Sequence, residues 1–284
     1  MNKTWTRLKR VPTAIAAIVV VLLICLLCVV SYLNVPLTQF SYDQTTANIL
    51  MDPCALHPMG TDELGRDLLT RVIYGSRLSI TIGVLTALVS LIVGTLYGAI
   101  AGYCGGKIDS LMMRGVDIAY SVPDLLVMIL LGVLIGRGTL GILIALALVS
   151  WRGTARLVRA QFLSLKQEEF VEAARAQGQG HWKIIAKHLL PNSIGPVIVA
   201  MTFTVPHAIL SESTLSFIGL GLSPPACSWG TLASDGWRSL RTHPHLIMFP
   251  SMFIFISVLA FNFLGDGLRD ALDPKTRSNV GKDI

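Results

Sequence analysis

The sequence predicts an all-α membrane protein with about six transmembrane helices and a compact helical element in its longest cytoplasmic loop. Three observations support this prediction. Only 14% of the 284 residues are charged and 52% are hydrophobic, whereas about a quarter of the residues of a soluble domain are charged. Several apolar runs are long enough to cross a bilayer as helices. The segments between these runs differ strongly in their content of Lys and Arg, as in membrane proteins of defined orientation.

The first two spans are the most clearly marked. Residues 11–33 carry no charge and follow a basic N-terminus, 1–10. Because the apolar run is long and lacks a clear small-residue cleavage site, we interpret it as a retained anchor and not as a signal peptide. Residues 34–77 then form an extracytoplasmic segment, and 78–104 form the second span. Small residues at every fourth position of this span predict close contact with another helix. These residues are Ser90, Gly94, Gly98 and Gly102.

The remaining spans complete a transmembrane core over residues 78–264. The third covers about 116–136 and the fourth about 139–157, with a short glycine turn between them. Each is marginal in length, so a helical hairpin that dips into the membrane and out again is the alternative to two full spans. The fifth covers 194–222 and contains internal prolines, and the sixth covers 246–264.

The basic residues predict that both termini are cytoplasmic. Of the 23 Lys and Arg residues, 17 fall on the proposed inner side and six on the other. The inner ones lie in the N-terminus, in 103–115, in 151–191 and in the C-terminal tail, 265–284. This bias follows the positive-inside rule. Since these residues lie between apolar runs, where lipid headgroups attract them, the net charge of +6 indicates a membrane and not nucleic acid as the partner.

The longest inner loop, 160–191, has a helical pattern. Residues 166–178 read as a helix, because Glu and Ala favour helices and acidic residues stabilise the first turn. Gly178 and Gly180 end this helix, and a second short helix ends at Pro191. The pattern predicts a compact helix-turn-helix element.

The surface of this element is predicted to be amphipathic. The helical spacing puts Trp182, Ile185 and Leu189 on one apolar face and the two lysines of the second helix on a basic face, with Ala173 and Ala174 exposed. Two interpretations remain open from the pattern. The element either docks with a partner protein or lies in the headgroup region of the membrane.

A sequence motif in this loop resembles the EAA loop of ABC-importer permeases. The matching residues are Glu172, Ala173, Ala174, Gly178, Leu190 and Pro191. His188 departs from the general pattern, which has an aliphatic residue at that place. The resemblance implies a cytoplasmic coupling helix that docks into a cleft of a nucleotide-binding subunit.

Three other stretches are similar to the dipeptide/oligopeptide/nickel permeases. Residues 57–67 resemble the GTDxLGRD motif of that family, 215–230 resemble its LSFLGLG…PP…WG stretch, and 260–274 resemble its C-terminal ending. The resemblance is to the C-type subunit. It implies a bacterial inner-membrane protein that pairs with a B-type permease, two cytoplasmic ABC ATPases and an extracytoplasmic binding protein. It also implies di- or oligopeptides as substrate, with nickel or metal chelates as the alternative.

The sequence lacks the usual motifs of an enzyme. The nearest approach to a P-loop, residues 102–107, has a misplaced first Gly and is followed by Ile108 in place of Ser or Thr. No HExxH pattern occurs. We therefore expect no catalytic site, no cofactor and no metal, and ATP hydrolysis in a separate subunit. His243 and His245 could touch a metal but more often form a solvated turn, and a bridge between Cys54 and Cys227 is conceivable.

Polar residues inside the predicted spans are costly in hydrocarbon and should face a cavity or a partner. They are Asp117, Asp124, His207, Glu212 and Asn262. We expect Glu212, and with it His207, Asp124 and Asn262, on the translocation path or at a subunit contact. The alternative for Glu212 is a protonated carboxyl that is hydrogen-bonded within the helix bundle. A proton-coupled secondary transporter that uses Glu212 and the aspartates is the rival function from another class.

Overall fold

The computed structural model describes residues 11–33, 37–136 and 138–272, and most of these are helical. Predictions for the N-terminus, for Arg137 and for the tail beyond Leu272 lie outside the described residues. In chain order the helices are α1 Pro12–Tyr32, α2 Leu68–Cys104, α3 Gly106–Ser121, α4 Asp124–Ile135, α5 Thr139–Leu165, α6 Glu169–Ala176, α7 His181–Ile184, α8 Leu190–Leu215, α9 Trp229–Trp237 and α10 His245–Leu272. π-helical turns join α7 to α8 (Ile185–Leu189) and follow α8 (Ser216–Leu220).

The all-α membrane fold is confirmed. Five helical runs in the described residues are long and apolar enough to cross a membrane: α1, α2, α5, the continuous run from α7 through α8, and α10. Helices α3 and α4 pass this test only together, and their axes are bent by 80°. The described residues therefore contain five candidate spans, or six when the bent pair is counted as one.

The expectation of one helix over 116–136 is wrong. The helix breaks between α3 and α4, where Val122 is extended, with φ −95° and ψ 128°. Pro123 causes this break, because a proline ring disfavours the helical conformation of the residue before it. The apolar pattern continues across the break, which explains why hydropathy alone suggested a single span.

Two helices extend beyond the predicted membrane runs. Helix α2 begins at Leu68, ten residues before the expected start, and the Asp67 side chain caps it by accepting a hydrogen bond from Thr70 N at 2.8 Å. Helix α5 continues to Leu165, eight residues beyond the expected end. The arginines in these turns lower the hydropathy and so end the apolar run, but arginine is a good helix former and the helix continues through them. An apolar run therefore locates a span but not the ends of its helix.

The small residues of α2 pack against α5, as predicted. Ser90 Oγ donates a hydrogen bond to Ser150 O at 3.0 Å. Any Cβ at Gly94, Gly98 or Gly102 would overlap the backbone of α5. The predicted close approach of two helices at these positions is confirmed.

Helix α8 and the segment after it build the other side of the bundle. Pro196 and Pro206 lie inside α8 without ending it. Trp229, at the start of α9, is fully buried and its Nε1 donates to Val72 O of α2 at 2.9 Å. These contacts attach α9 to α2 at the end of the bundle opposite to α6 and α7.

Candidate functional site

Residues 169–191, here called the loop element, are attached to the ends of α5 and α8 by apolar contacts. The buried side chains of the element are Val171, Ala174, Ile184 and Leu189. They share one cluster with Val158 and Phe162 of α5 and Val197 of α8. Since burial of a Val, Leu or Ile side chain contributes about 1.5–3 kcal/mol, this cluster is enough to hold the short element in a fixed position.

Three predictions about the loop element are corrected. Pro191 does not end a helix, because the chain runs from α7 into α8 through the π-helical turn. In that turn Leu190 N donates to Ile185 O, five residues back. This spacing rotates the face of the helix, so Ile184 and Leu189 point inward together, and Trp182 is 82% exposed. Ala174 is buried and not exposed, since it lies one helical turn after the buried Val171.

Polar contacts tie the loop element to α2 and stabilise its turn. Tyr103 Oη, near the end of α2, is 2.5 Å from His181 Nδ1. In the turn, Gln179 Oε1 is 3.1 Å from His188 Nε2. Gly178 has a φ of +74°, which glycine adopts without steric cost, so the predicted break at this residue is present. The element therefore moves with the ends of α2, α5 and α8.

The opposite face of the loop element is exposed. Of the six motif residues predicted in this loop, those that remain accessible are Glu172, Ala173, Gly178, Leu190 and Pro191. Trp182 is the most exposed of the large hydrophobic side chains in the described part of the chain, and it stands next to Lys183. Trp is enriched among the residues that dominate binding energy at protein interfaces. This face has the chemistry of a docking surface.

Glu212 lies in the interior of the bundle, near the C-terminal end of α8. Its side chain is fully buried, and Oε1 accepts hydrogen bonds from Ser216 Oγ at 2.7 Å and from Ser228 Oγ at 2.6 Å. Ser228 in turn caps α9 by accepting a hydrogen bond from Thr231 N at 3.1 Å. The geometry favours the interpretation of Glu212 as a hydrogen-bonded group within the bundle, because its side chain is fully buried among residues of this chain.

The other candidates for a translocation path are separate from Glu212. His207 is exposed on α8, and Asn262 is half-buried on α10. Asp124 pairs with Arg152, with 2.5 Å between Oδ1 and Nη2. Within the residues that the structure describes, no hydrogen bond or ion pair links these four side chains, so they do not form one site.

Arginines of α5 pair with aspartates of α3 and α4, which the sequence analysis missed. The pairs are Arg152–Asp124, Arg156–Asp117 and Arg159–Asp109, each with a shortest N–O distance of 2.5 Å. Sequence analysis had assigned these arginines to a basic loop. The order of the charges along the chain was a usable signal. The earlier an aspartate lies in the sequence, the later its arginine partner lies, as expected for antiparallel helices.

Residues 57–67, the first family motif, form a structured cap at the start of α2. Nδ1 of the buried His57 ring lies 2.9 Å from Asp67 Oδ1. The same ring stacks on Phe40, with 4.6 Å between the ring centroids. Gly60 and Gly65 have φ of +79° and +70°, and a Cβ at either would overlap the neighbouring backbone. The motif therefore fixes the beginning of a spanning helix.

The conceivable bridge between Cys54 and Cys227 is not formed. Both are free thiols. Cys227 is fully buried and its Sγ donates to Arg71 O at 3.6 Å. Burial raises the pKa of the Cys227 thiol to about 12, which disfavours the reactive thiolate. The rings of His243 and His245 are 5.9 Å apart between centroids, and no group of three possible metal ligands occurs in 11–33, 37–136 or 138–272.

Comparison with known proteins identifies relatives along nearly the whole chain. Residues 94–278 match the family described as binding-protein-dependent transport system inner membrane component. The dipeptide transport system permease protein DppC of Bacillus subtilis (strain 168) is 46% identical over 274 residues, which are 96% of this chain and 85% of that protein. The oligopeptide transport system permease protein OppC of Escherichia coli (strain K12) is 46% identical over 244 residues, which are 85% of this chain and 81% of that protein.

A solved structure has a similar fold. An inward-facing form of the MetNI methionine ABC transporter covers 72% of this chain and 98% of its own, with a TM-score of 0.61 and 18% identity. At this identity the likeness concerns the helical architecture alone.

Proposed function

We infer that this chain, which belongs to the family of binding-protein-dependent transport system inner membrane components, translocates di- or oligopeptides across the cytoplasmic membrane as a permease subunit of an ATP-driven importer. The observation that carries this inference is 46% identity to a dipeptide permease over 96% of the chain. The relatives are transport subunits and not enzymes, and this sequence lacks a P-loop. We therefore assign ATP hydrolysis to a separate subunit.

The proposed assembly contains a second, B-type permease, two cytoplasmic ATPases and an extracytoplasmic binding protein. The loop element is the proposed docking site of one ATPase, with its exposed motif face toward that partner. The bias of Lys and Arg supports a cytoplasmic position for this element and for both termini. The segments 37–67 and 221–245 then face the binding protein.

The proposed mechanism is alternating access that ATP drives through the loop element. The element is continuous with α8, so the helical run from His181 to Leu220 joins the docking face to the opposite end of the bundle. The buried side chains of the loop element also contact α5. Closure of the ATPase pair would move the element, and α5 and α8 would move with it because close-packed contacts transmit displacement.

Reconstitution in vesicles tests the function. The complete complex, with its binding protein, is expected to accumulate dialanine when ATP is supplied on the cytoplasmic side. Omission of the ATPase subunits should abolish this uptake. Uptake by the chain alone under a proton gradient would contradict the proposal and establish the rival secondary transporter. ATP-driven uptake of nickel or a nickel chelate without uptake of dialanine would leave the permease role and replace the substrate.

A further inference from the structure

The bend between α3 and α4 lies in a segment that spans the membrane only when both helices are counted together. Their axes meet at 80° across Val122 and Pro123. A helix that ends at such a break leaves its last carbonyl groups without partners in the same helix. Such groups must find donors elsewhere when water is excluded.

One guanidinium group of α5 contacts both sides of this bend. Arg152 Nη1 donates to Ala119 O, in the last turn of α3. Its Nη2 donates at 2.5 Å to Oδ1 of Asp124, the first residue of α4. Its Nε donates at 2.7 Å to Val149 O of α5. The guanidinium lies over the Tyr120 ring, with 4.4 Å from Cζ to the ring centroid.

The shape of the group makes this contact restrictive. Guanidinium is planar and holds its donors at fixed angles. The Arg152 side chain is only 2% exposed, so it cannot easily turn to other partners. Both Ala119 O and Asp124 can therefore be reached only over a narrow range of angles between α3 and α4.

The other contacts hold each helix separately. Tyr97 Oη of α2 donates to Met112 O of α3 at 2.7 Å, and Met128 of α4 is buried in an apolar cluster with Ile142 of α5. Of the 16 residues of α3, only Asp109 and Val116 are buried. The remaining ion pairs, Arg156–Asp117 and Arg159–Asp109, attach α3 to α5 but do not reach α4. Arg152 is thus the only one of the three paired arginines of α5 whose partners lie on both sides of the bend.

We propose that Arg152 is a positioning residue that sets the angle between α3 and α4 and so couples this bend to α5. The angle follows from the contacts of this chain alone. Its consequence for uptake rests on the proposed function. Release of Asp124, whose side chain is 40% exposed, is the step that would let α4 turn relative to α3.

The test measures the angle directly in the complete complex. Spin labels on unnatural amino acids at Ser110 of α3 and Val133 of α4 leave the native cysteines unchanged, and dipolar spectroscopy gives the distance between them. With 1.5 Å of rise per residue, a 20° change in the bend moves the labels by about 3 Å. Arg152→Gln is expected to shift or broaden the distance distribution by at least that amount.

Matched variants separate this role from a general effect of charge. Arg156→Gln removes an ion pair and a second Tyr120 contact but no contact with α4, so it should leave the distance unchanged. Arg152→Lys keeps the charge without the planar donors and should behave as Arg152→Gln does. Asp124→Asn is the second variant, for the case that Arg152→Gln does not fold, and should broaden the distribution.

The outcomes decide the inference independently of substrate. An unchanged distance in Arg152→Gln, or restoration by Arg152→Lys, would overturn it. ATP-driven uptake of dialanine is measured in parallel, and it should fall at least tenfold in Arg152→Gln and Arg152→Lys but less than twofold in Arg156→Gln. If the wild-type complex moves no dialanine, the proposed function fails while the distance measurement still tests the bend.

Discussion

The two sides of α5 are held by opposite kinds of contact. On one side, small residues of α2 bring the two backbones together, and Ser90 bonds directly to a carbonyl of α5. On the other side, ion pairs of long side chains attach α3 and the first residue of α4, and the rest of α4 packs on α5 through apolar side chains such as Met128. These pairs are Arg152–Asp124, Arg156–Asp117 and Arg159–Asp109.

The difference indicates which helices move together. Dispersion contacts between close backbones weaken steeply with distance, so α2 and α5 behave as one body. The side chains of Arg156 and Arg159, which are 47% and 34% exposed, have several rotatable bonds and can follow a shift of α3. Because the loop element attaches to α2, α5 and α8, we infer that it drives the tightly packed body while α3 can turn against it.

The largest effect is expected from substitutions in the close contact between α2 and α5. Gly98→Leu should prevent folding, because even a Cβ at this position would overlap Ala155 O of α5. Gly98→Ala should lower the free energy of unfolding by about 3 kcal/mol, as overpacking does. The midpoint of thermal unfolding of the purified chain measures it.

Gly153→Ala is the matched control for this change. A Cβ there lies 3.6 Å from Tyr120 Oη, an ordinary contact, and Ala favours a helix over Gly by about 1 kcal/mol. The variant should be as stable as the wild type or slightly more so. Equal losses in Gly98→Ala and Gly153→Ala would contradict the close packing of α2 on α5.

The second effect loosens the loop element from the tightly packed body. Leu189→Ala should destabilise the element by about 2–5 kcal/mol, because it leaves a cavity at a fully buried position. Tryptic cleavage at Lys183 and Lys187 in the folded complex should then accelerate at least tenfold. Leu190→Ala, at a side chain that is 37% exposed, should change the rate less than fivefold, and a larger change there than in Leu189→Ala would count against the assignment.

The third effect concerns the C-terminal end of α8. Glu212→Leu removes the acceptor of Ser216 and Ser228 and leaves two buried O–H donors without an acceptor, which costs about 1–3 kcal/mol in stability. Glu212→Gln retains an acceptor oxygen, so its unfolding midpoint should lie close to the wild type. If Gln were as harmful as Leu in uptake at unchanged stability, the ionisable carboxyl itself would be required and Glu212 would belong to the transport path.

The smallest effect is expected from substitutions in the ion pairs between α3 and α5. Asp109 accepts two hydrogen bonds from Arg159, at 2.5 and 2.6 Å, whereas Asp117 accepts one from Arg156. Asp109→Asn should lower the unfolding free energy by about 1–2 kcal/mol, and Asp117→Asn by about half as much or less. The difference in chemical denaturation between the two variants checks this, and the reverse order would mean that α3 is held by another contact.

The sequence was sufficient for the features that depend on local pattern. Uncharged runs located the spans, and the recurrence of Gly94 and Gly98 identified the face that packs on α5. The helix break at Pro123 could also have been predicted from the proline, but the apolar residues on both sides of it indicated one continuous span. The pairing of arginines with aspartates and the π-helical turn that puts Leu189 on the buried face depend on tertiary packing. A helical spacing of 3.6 residues could not anticipate a turn in which the spacing is five.

The site was predicted in part for the same reason. The motif residues of the loop element follow from a linear pattern, although the burial of Ala174 required the position of Val171 relative to α5. Glu212 was recognised as costly in a membrane, but its partner Ser228 lies 16 residues away, beyond two helical breaks. Contacts of that kind cannot be read from spacing.

Photo-cross-linking from the loop element tests the central claim most directly. A benzoyl-phenylalanine at Ala173, on the exposed face, is expected to form an adduct with the ATPase subunit in the complete complex. The same probe at Thr242, exposed at the opposite end of the protein, should form none. An ATPase adduct from Thr242, or none from Ala173 in a complex that takes up dialanine with ATP, would contradict the account.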